Sequence, residues 1–581
     1  MFRSKYYNIL FIFVVVLGLF LLIKWTQENR LNKYMNSLSP EMKIGQLLMI
    51  SPEGYTFDRK LKNLIQNYHI GNLKIFGKNY KNKYQLYKLI IEAQNTAITS
   101  HDIPMFIATD QEGGWIAHLK RGFTIPPSNF AIGKTGKTYL AYIASDIISK
   151  ELRAVGINVN FAPDVDLHIN EKNWVIGPRA YSDSPETVIS FAEEFLKAHI
   201  NNNVIPVIKH FPGQGRVAGD SHVTLLTNYE KYNVLIKNEL KPFLTLTRTP
   251  ETGIMIGHIA VPGIVQFMEN IDNKDYKKYY FLPATISDVI INRYLLKFMD
   301  YKGLVFTDEM NMKGITDKFG VEEAIYLSIK AGANIIVIDK SYNEIKKIYN
   351  YLLRKYKSDK EFRKQVDISL HKIFIYKGML FQHRNSAGYF SDKLIEMRKF
   401  EYMPEKLKII NSDFFKKIIF AVSKLTVDIY RDKYKVVPLN MTGFYKDKIY
   451  VVVSPRKVLF DDLKKFVPYN RIQYIPIKAG FTEHFSEEYI KSVVSKISDN
   501  SVVIFGLVSR ENARLCRAVY DKNKNMILIN LLHLYNIKKL TDIPVIINTY
   551  SDNEMQINAA LEVLFNGKKE IINLHKEYLT F

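Results

Sequence analysis

Leu140-Ala141-Tyr142-Ile143-Ala144-Ser145-Asp146-Ile147-Ile148-Ser149-Lys150-Glu151-Leu152-Arg153-Ala154-Val155-Gly156-Ile157-Asn158-Val159-Asn160-Phe161 is the stretch on which the fold class turns. Leu140, Ile143, Ala144, Ile147, Ile148 and Leu152 recur on one helical face, and Gly156 follows as a stop. The strand-like run Asn158–Phe161 comes next. The same alternation extends in both directions. Further strand-like runs are Leu47–Ser51, Asn72–Phe76, Pro104–Thr109, Val204–Ile208, Gly253–Gly257, Gly303–Thr307 and Asn334–Ile338. They are continuous apolar runs rather than alternating ones, which suits parallel strands buried on both faces. Eight β-then-α units between residues 37 and 375 predict an α/β fold, a (β/α)8 barrel of the TIM type. A doubly wound sheet is the alternative, because strand count alone does not prove closure.

Outside that span the chain changes character. Ile9 to Ile23 is apolar apart from Gly18, with Tyr6, Tyr7 and Trp25 at its flanks and Arg3 and Lys5 ahead of it. At 1.5 Å per residue, Tyr6 to Trp25 is about long enough for a bilayer core of roughly 30 Å. No small-x-small cleavage site follows, so residues 1–36 are expected to be a signal anchor and tether. The rest would then be extracytoplasmic, and a cleaved signal and secreted protein is the alternative. Residues 376–410 carry many charges without clean periodicity and read as a linker. From 411 to 581 a second α/β pattern follows, with strand candidates Ile449–Ser454, Ile472–Ile477, Val502–Leu507, Met526–Leu531 and Pro544–Thr549. It predicts a smaller three-layer sandwich.

Composition bounds the function. The 581 residues carry a net charge of +23 and 47% apolar content, and hold one cysteine, Cys516. Intramolecular disulfides and multi-cysteine metal centres are excluded. Phosphate-loop and dinucleotide motifs with the right flanks are absent, so no cofactor and no metal is implied. The positive charge alone would admit a nucleic-acid binder, but the export segment argues against it; anionic envelope polymers or lipids suit the charge equally.

In barrels, reactive side chains sit at the C-terminal ends of the strands. There the sequence places Asp110-Gln111-Glu112-Gly113-Gly114, then Ile176-Gly177-Pro178-Arg179, then Lys209-His210-Phe211-Pro212-Gly213-Gln214-Gly215 with Asp220-Ser221-His222, then His258, then Asp308-Glu309. Asp308 closes a strand and is a candidate nucleophile, or else a helix N-cap. Glu309 is its neighbour and rival. Asp220 and His222 are close enough in an irregular loop for the carboxylate to fix the imidazole and raise its proton affinity.

These residues carry a family resemblance. Lys209 to Gly213 through Asp220-Ser221-His222 resembles the signature loop of the β-N-acetylglucosaminidases of glycoside hydrolase family 3, K-H-F-P-G-H-G followed by D-S-H or D-T-H. Asp110 to Gly114 is similar to the family's D-Q-E-G-G, Ile176 to Arg179 to its I-G-x-R, and Phe306-Thr307-Asp308 to the strand-end S-D of the nucleophile. The resemblance implies Asp308 as nucleophile, His222 as acid/base assisted by Asp220, and Asp110, Arg179, Lys209, His210 and His118 as sugar-binding groups. Gln214 stands where a second histidine is usual, and Trp115 and His118 stand where arginines are frequent.

The resemblance therefore implies a retaining exo-β-N-acetylglucosaminidase, a β-N-acetylhexosaminidase of class EC 3.2.1.52, acting on peptidoglycan fragments or related amino sugars. Two alternatives are a phosphorylase, since a neutral histidine does not repel phosphate as a carboxylate would, and a catalytically idle envelope glycan-binding protein. Glu112 and Glu309 are the reserve candidates for the acid/base. The natural substrate, the leaving-group sugar and the oligomeric state are not legible.

Overall fold

The computed structural model describes residues 2–219, 225–312, 319–381, 399–439, 445–480, 483–532 and 540–567, together with Ile315, Ile537 and Tyr578. All eight expected barrel strands are present, each shorter than or offset from its apolar run. They are β1 (Leu48–Ile50), β2 (Asn72–Lys74), β3 (Phe106–Thr109), β4 (Val159–Asn160), β5 (Ile205–Phe211), β6 (Gly253–Ile256), β7 (Val305–Thr307) and β8 (Ile336–Ile338). Their order in the sheet is β7-β6-β5-β4-β3-β2-β1-β8, and every pairing is parallel. A bridge between Phe306 and Ile335 joins the two ends, with the Thr307 N–H donating to the Ile335 carbonyl at 3.1 Å. The barrel is thus near-closed, and the doubly wound alternative is set aside.

The strands are buried on both faces, as their apolar continuity requires. Phe161 and Phe306 meet edge to face inside, with ring centroids 5.4 Å apart. The shortest strand, β4, is completed by side chains. Asn158 Oδ1 accepts the Ile107 N–H at 2.8 Å, and Asn160 exchanges bonds with the Gln111 backbone, both at 3.0 Å.

His199 backs this ladder. Its Nε2 lies 2.9 Å from Asn160 Nδ2 and its Nδ1 lies 2.7 Å from Ser145 Oγ. Asn160 Nδ2 can only donate, so Nε2 must accept and the ring is held neutral. Burial pushes the imidazole down to about 3. An unfolded histidine takes its proton near 6.5, so this group's contribution is complete above that pH and is lost as the pH falls towards 3. The loss is up to about 1.4 kcal/mol per pH unit. In urea titrations at pH 7.5, 6 and 5, His199→Gln should lose stability with falling pH less steeply than wild type. An unchanged slope would remove His199 from this account.

The second domain holds a six-stranded mixed sheet: β9 (Asp428–Asp432), β10 (Ile449–Ser454), β11 (Ile472–Pro476), β12 (Ser501–Leu507), β13 (Met526–Asn530) and β14 (Val545–Asn548), in the order β9-β14-β13-β12-β10-β11. The five expected strands are parallel, and β9 is an additional antiparallel edge. Alternate residues feed two separate cores. Val452 and Ile504 pack with the helices Lys457–Leu463 and Glu554–Asn566; Val451 and Phe505 pack with Glu487–Val494 and Arg510–Lys522. The lone Cys516 is buried in the second of these cores.

The region expected to be a linker begins inside a helix, Lys360–Phe381, and its described remainder lies against the barrel. Asn95 Nδ2 donates to the Phe400 carbonyl at 3.0 Å, and Lys83 Nζ to that of Leu407 at 2.9 Å. The N-terminal helix Phe2–Ser37 docks through its last turns, where Leu31 and Met35 are buried and Tyr34 meets Phe374. Among the described residues no helix is long and apolar enough to cross a membrane.

Candidate active site

The strand ends converge on one network of charges. β3 ends at Thr109, and the next residues form a small hairpin, Gln111–Gly113 against Ile116–Ala117. Gln111 Oε1 and Nε2 bond the backbone of Leu119 at 3.1 and 3.2 Å, which ties the hairpin's return. Asp110 and Glu112 are thereby presented side by side. Lys209, near the end of β5, donates to Asp110 Oδ1 at 2.7 Å and lies 2.7 Å from Glu112 Oε1. Arg179 reaches Glu112 with two parallel bonds, Nε to Oε2 at 2.9 Å and Nη2 to Oε1 at 2.8 Å. A forked, buried pair of this kind is geometrically restrictive. His118 Nε2 lies 3.3 Å from Asp110 Oδ2.

The same guanidinium links to a second cluster. Arg179 Nη2 lies 3.3 Å from Asp164 Oδ2 and 3.4 Å from His210 Nε2. His210 Nδ1 donates to Asp166 Oδ2 at 2.7 Å, which fixes the ring's tautomer, and Asp166 Oδ1 accepts the Gln214 N–H at 2.8 Å. The loop that carries Gln214 presses tightly on its neighbour: a Cβ at Gly215 would lie 1.8 Å from the Leu167 carbonyl oxygen.

On the other side of the mouth, β7 delivers Asp308, which is half-buried. Its N–H donates to the Ile256 carbonyl at 3.0 Å, and its Oδ1 accepts the Glu309 N–H at 2.8 Å. His258, after β6, steadies this turn, with Nε2 donating to the Glu309 carbonyl at 2.9 Å and Nδ1 2.7 Å from Thr285 Oγ1.

The electrostatics follow from this geometry. Burial would push the Asp110 carboxyl up, but Lys209, Lys74 and His118 hold it well below the usual carboxylate range. Glu112 is likewise opposed by its burial and lowered by Arg179 and Lys209. Burial raises the Asp308 carboxyl, yet His210, His258 and Lys74 bring it below its ordinary value, so it stands ionised. Burial pushes Glu309 up and Asp164 up to about 7. Against its burial, His210 is raised by Asp166. An ionised carboxylate beside a protonatable one is the separation of roles that acid–base chemistry uses.

Of the residues expected from sequence, Asp110, Arg179, Lys209, His210 and His118 are brought into one network, and Asp308 lies within reach of the fields of His210 and His258. Asp220 and His222 lie outside the described residues. Glu112 has both oxygens engaged by cations, which leaves it poorly suited to the reserve role of acid/base. Sequence reasoning passed over Asp164 and Asp166, although Asp164-Val165-Asp166 follows β4 after only three residues. It also passed over Lys74 at the end of β2.

Asp164, Asp166 and His210 are close enough for one atom of each to share a cation. Arg179 already faces Asp164, however, and both Asp166 oxygens accept N–H bonds, so the trio is engaged by the protein's own groups.

The second domain reaches this region. Trp115, three residues beyond Glu112, packs against its core, Phe130 meets Tyr550 with centroids 5.2 Å apart, and Asn553 Nδ2 donates to the Pro126 carbonyl at 3.3 Å. A residue that stands where arginines are frequent is thus part of the contact between domains.

The sequence profile described as "Glycosyl hydrolase family 3 N terminal domain" matches residues 40–375, which is the whole barrel. The chain belongs to glycoside hydrolase family 3. It is similar to β-hexosaminidase A of Pseudoalteromonas piscicida, 33% identical over 310 residues that cover 51% of each chain, so it spans about half the length of that relative. It is also similar to the β-hexosaminidase LpqI of Mycobacterium tuberculosis, 29% identical over 319 residues that cover 51% of this chain and 72% of the relative. The solved family 3 β-N-acetylglucosaminidase of a Paenibacillus superimposes with a TM-score of 0.77 at 26% identity, over 91% of this chain and 97% of its own. That coverage takes in both domains.

Proposed function

We propose that the protein is a retaining exo-β-N-acetylglucosaminidase that removes terminal β-linked N-acetylglucosamine from peptidoglycan fragments or related amino sugars. The observation that carries this is the joining of Asp110, Glu112, Arg179, Lys209 and His210 into one buried network at the strand ends, with the ionised Asp308 beside it. Fixed, multidentate charges orient a polyhydroxylated ring and are already in place when the transition state forms. The names of the relatives supply the sugar.

In the proposed reaction the Asp308 carboxylate attacks the anomeric carbon while His222, supported by Asp220, gives its proton to the departing glycosidic oxygen. A covalent glycosyl–Asp308 ester results. His222 then takes a proton from water, whose oxygen attacks the same carbon, and the Asp308 carboxylate leaves. Two inversions give net retention. Asp110, Arg179, Lys209, His210 and His118 hold the sugar hydroxyls and acetamido group. No cofactor is needed.

The anchor is proposed from the sequence, over the apolar run Ile9 to Ile23, part of which lies outside the described side chains, with the two domains outside the cytoplasm. Phe13, Leu17, Leu21 and Trp25 in or beside this run are exposed, an arrangement that lipid would cover.

The test is hydrolysis of an aryl N-acetyl-β-glucosaminide beside the aryl β-glucoside, each with and without phosphate. The proposal expects release from the first at least about tenfold faster, which corresponds to roughly 1.4 kcal/mol of discrimination by the acetamido group. Equal rates would overturn the sugar assignment. A sugar 1-phosphate as the main product would overturn hydrolysis in favour of phosphorolysis.

A further inference from the structure

Lys74 closes β2 and is 5% exposed. Its Nζ lies 3.0 Å from Asp110 Oδ2, while Lys209 holds the other oxygen, Oδ1, at 2.7 Å. Asp110 therefore has one lysine on each oxygen, with His118 Nε2 a further 3.3 Å contact on Oδ2. The ammonium also sits over aromatic faces, 4.3 Å from the Phe76 ring centroid and 5.3 Å from that of Phe161. These contacts fix where the charge points.

One lysine would satisfy Asp110 as a structural partner. A second buried ammonium on the same carboxylate adds a desolvation cost of its own. Its field also reaches the strand-end acids Asp308 and Glu309.

We propose that Lys74 is a positioning residue of the glycosidase site, holding Asp110 Oδ2 opposite Lys209 so that the carboxylate is oriented for the sugar hydroxyls. This role rests on the glycosidase assignment above. The charged and titratable groups around the two acids are Lys74, Lys209 and His118 at Asp110, and Lys74, His210, His258 and Glu309 at Asp308. Of these, Lys74 alone is common to both. Removing its charge raises the Asp308 carboxyl, so Asp308 loses its negative charge at a higher pH and activity fails earlier on the acid side.

The experiment measures kcat and KM of the full chain on an aryl N-acetyl-β-glucosaminide from pH 4 to 8, for wild type, Lys74→Met and Lys74→Arg, with thermal melting as the check on folding. Lys74→Met should raise KM about tenfold and move the acid limb of kcat/KM upward by about half a pH unit or more. Lys74→Arg should restore most of both. If Lys74→Met does not fold, Lys74→Gln carries the same expectations. A folded uncharged variant with wild-type KM and an unmoved acid limb overturns the role. So does Lys74→Arg if it is as impaired as Lys74→Met, since charge would then not be what matters. A wild type inactive on this substrate would instead sink the glycosidase assignment, and this role with it.

Discussion

Asp308→Ala should fold normally and lose turnover by about 10⁴-fold or more, the scale on which removal of a covalent nucleophile acts in hydrolases. The structure gives the reason. Asp308 directly follows β7, its backbone is tied to the Ile256 carbonyl, and one of its own oxygens holds the Glu309 N–H. Its side chain makes no ion pair on which the fold depends among the described residues, so truncation should cost little stability. Its carboxylate is held below its ordinary value despite burial, through His210, His258 and Lys74, and is therefore ionised at neutral pH. Glu309 cannot substitute readily: burial pushes its carboxyl up, towards the neutral form. A folded Asp308→Ala enzyme with near-normal activity would show that the nucleophile lies elsewhere, and Glu309→Gln would be the next variant to measure.

The second large effect concerns His222. With an aryl glycoside whose leaving group is already acidic, formation of the glycosyl-enzyme needs little protonation, whereas its hydrolysis still needs a base. His222→Ala should slow the second step by about 10² to 10⁴ and spare the first. Glycosyl-enzyme should accumulate, visible as added mass on a peptide that contains Asp308, and azide should speed its release because azide attacks without being deprotonated. Asp220→Asn should impair the same step less, since it weakens the imidazole without removing it. Equal activity on activated and unactivated substrates, with no intermediate and no azide effect, would remove His222 from the mechanism. Glu309 would then be the candidate acid, given its upward shift, ahead of the doubly paired Glu112.

What was legible in the chain follows from where each residue sits. Runs such as Pro104–Thr109 announce barrel strands because both faces are buried, so no polar residue interrupts them. β9 announces nothing, because it is an antiparallel edge: Asp428-Ile429-Tyr430-Arg431-Asp432 is only partly buried, and its charges read as loop. The larger site residues were legible through the barrel rule, which points to the residues following each strand, and through the length of the Lys209 to His222 motif. Lys74 was not, because it sits inside an apolar run where a lone lysine looks like a snorkelling side chain. Asp164 and Asp166 were not, because β4 is only two residues long and its end cannot be placed from sequence. Nor could Trp115 be understood as a departure from a motif until the second domain was seen packed against it.

The most direct measurement is proton NMR of the wild-type enzyme acting on an aryl N-acetyl-β-glucosaminide, following the anomeric signal of the first sugar released. Attack by Asp308 and then by water requires that β-N-acetylglucosamine appear first and mutarotate only later to the α form. Release of the α anomer first would mean a single displacement without a glycosyl–Asp308 ester, and would contradict the account at its centre.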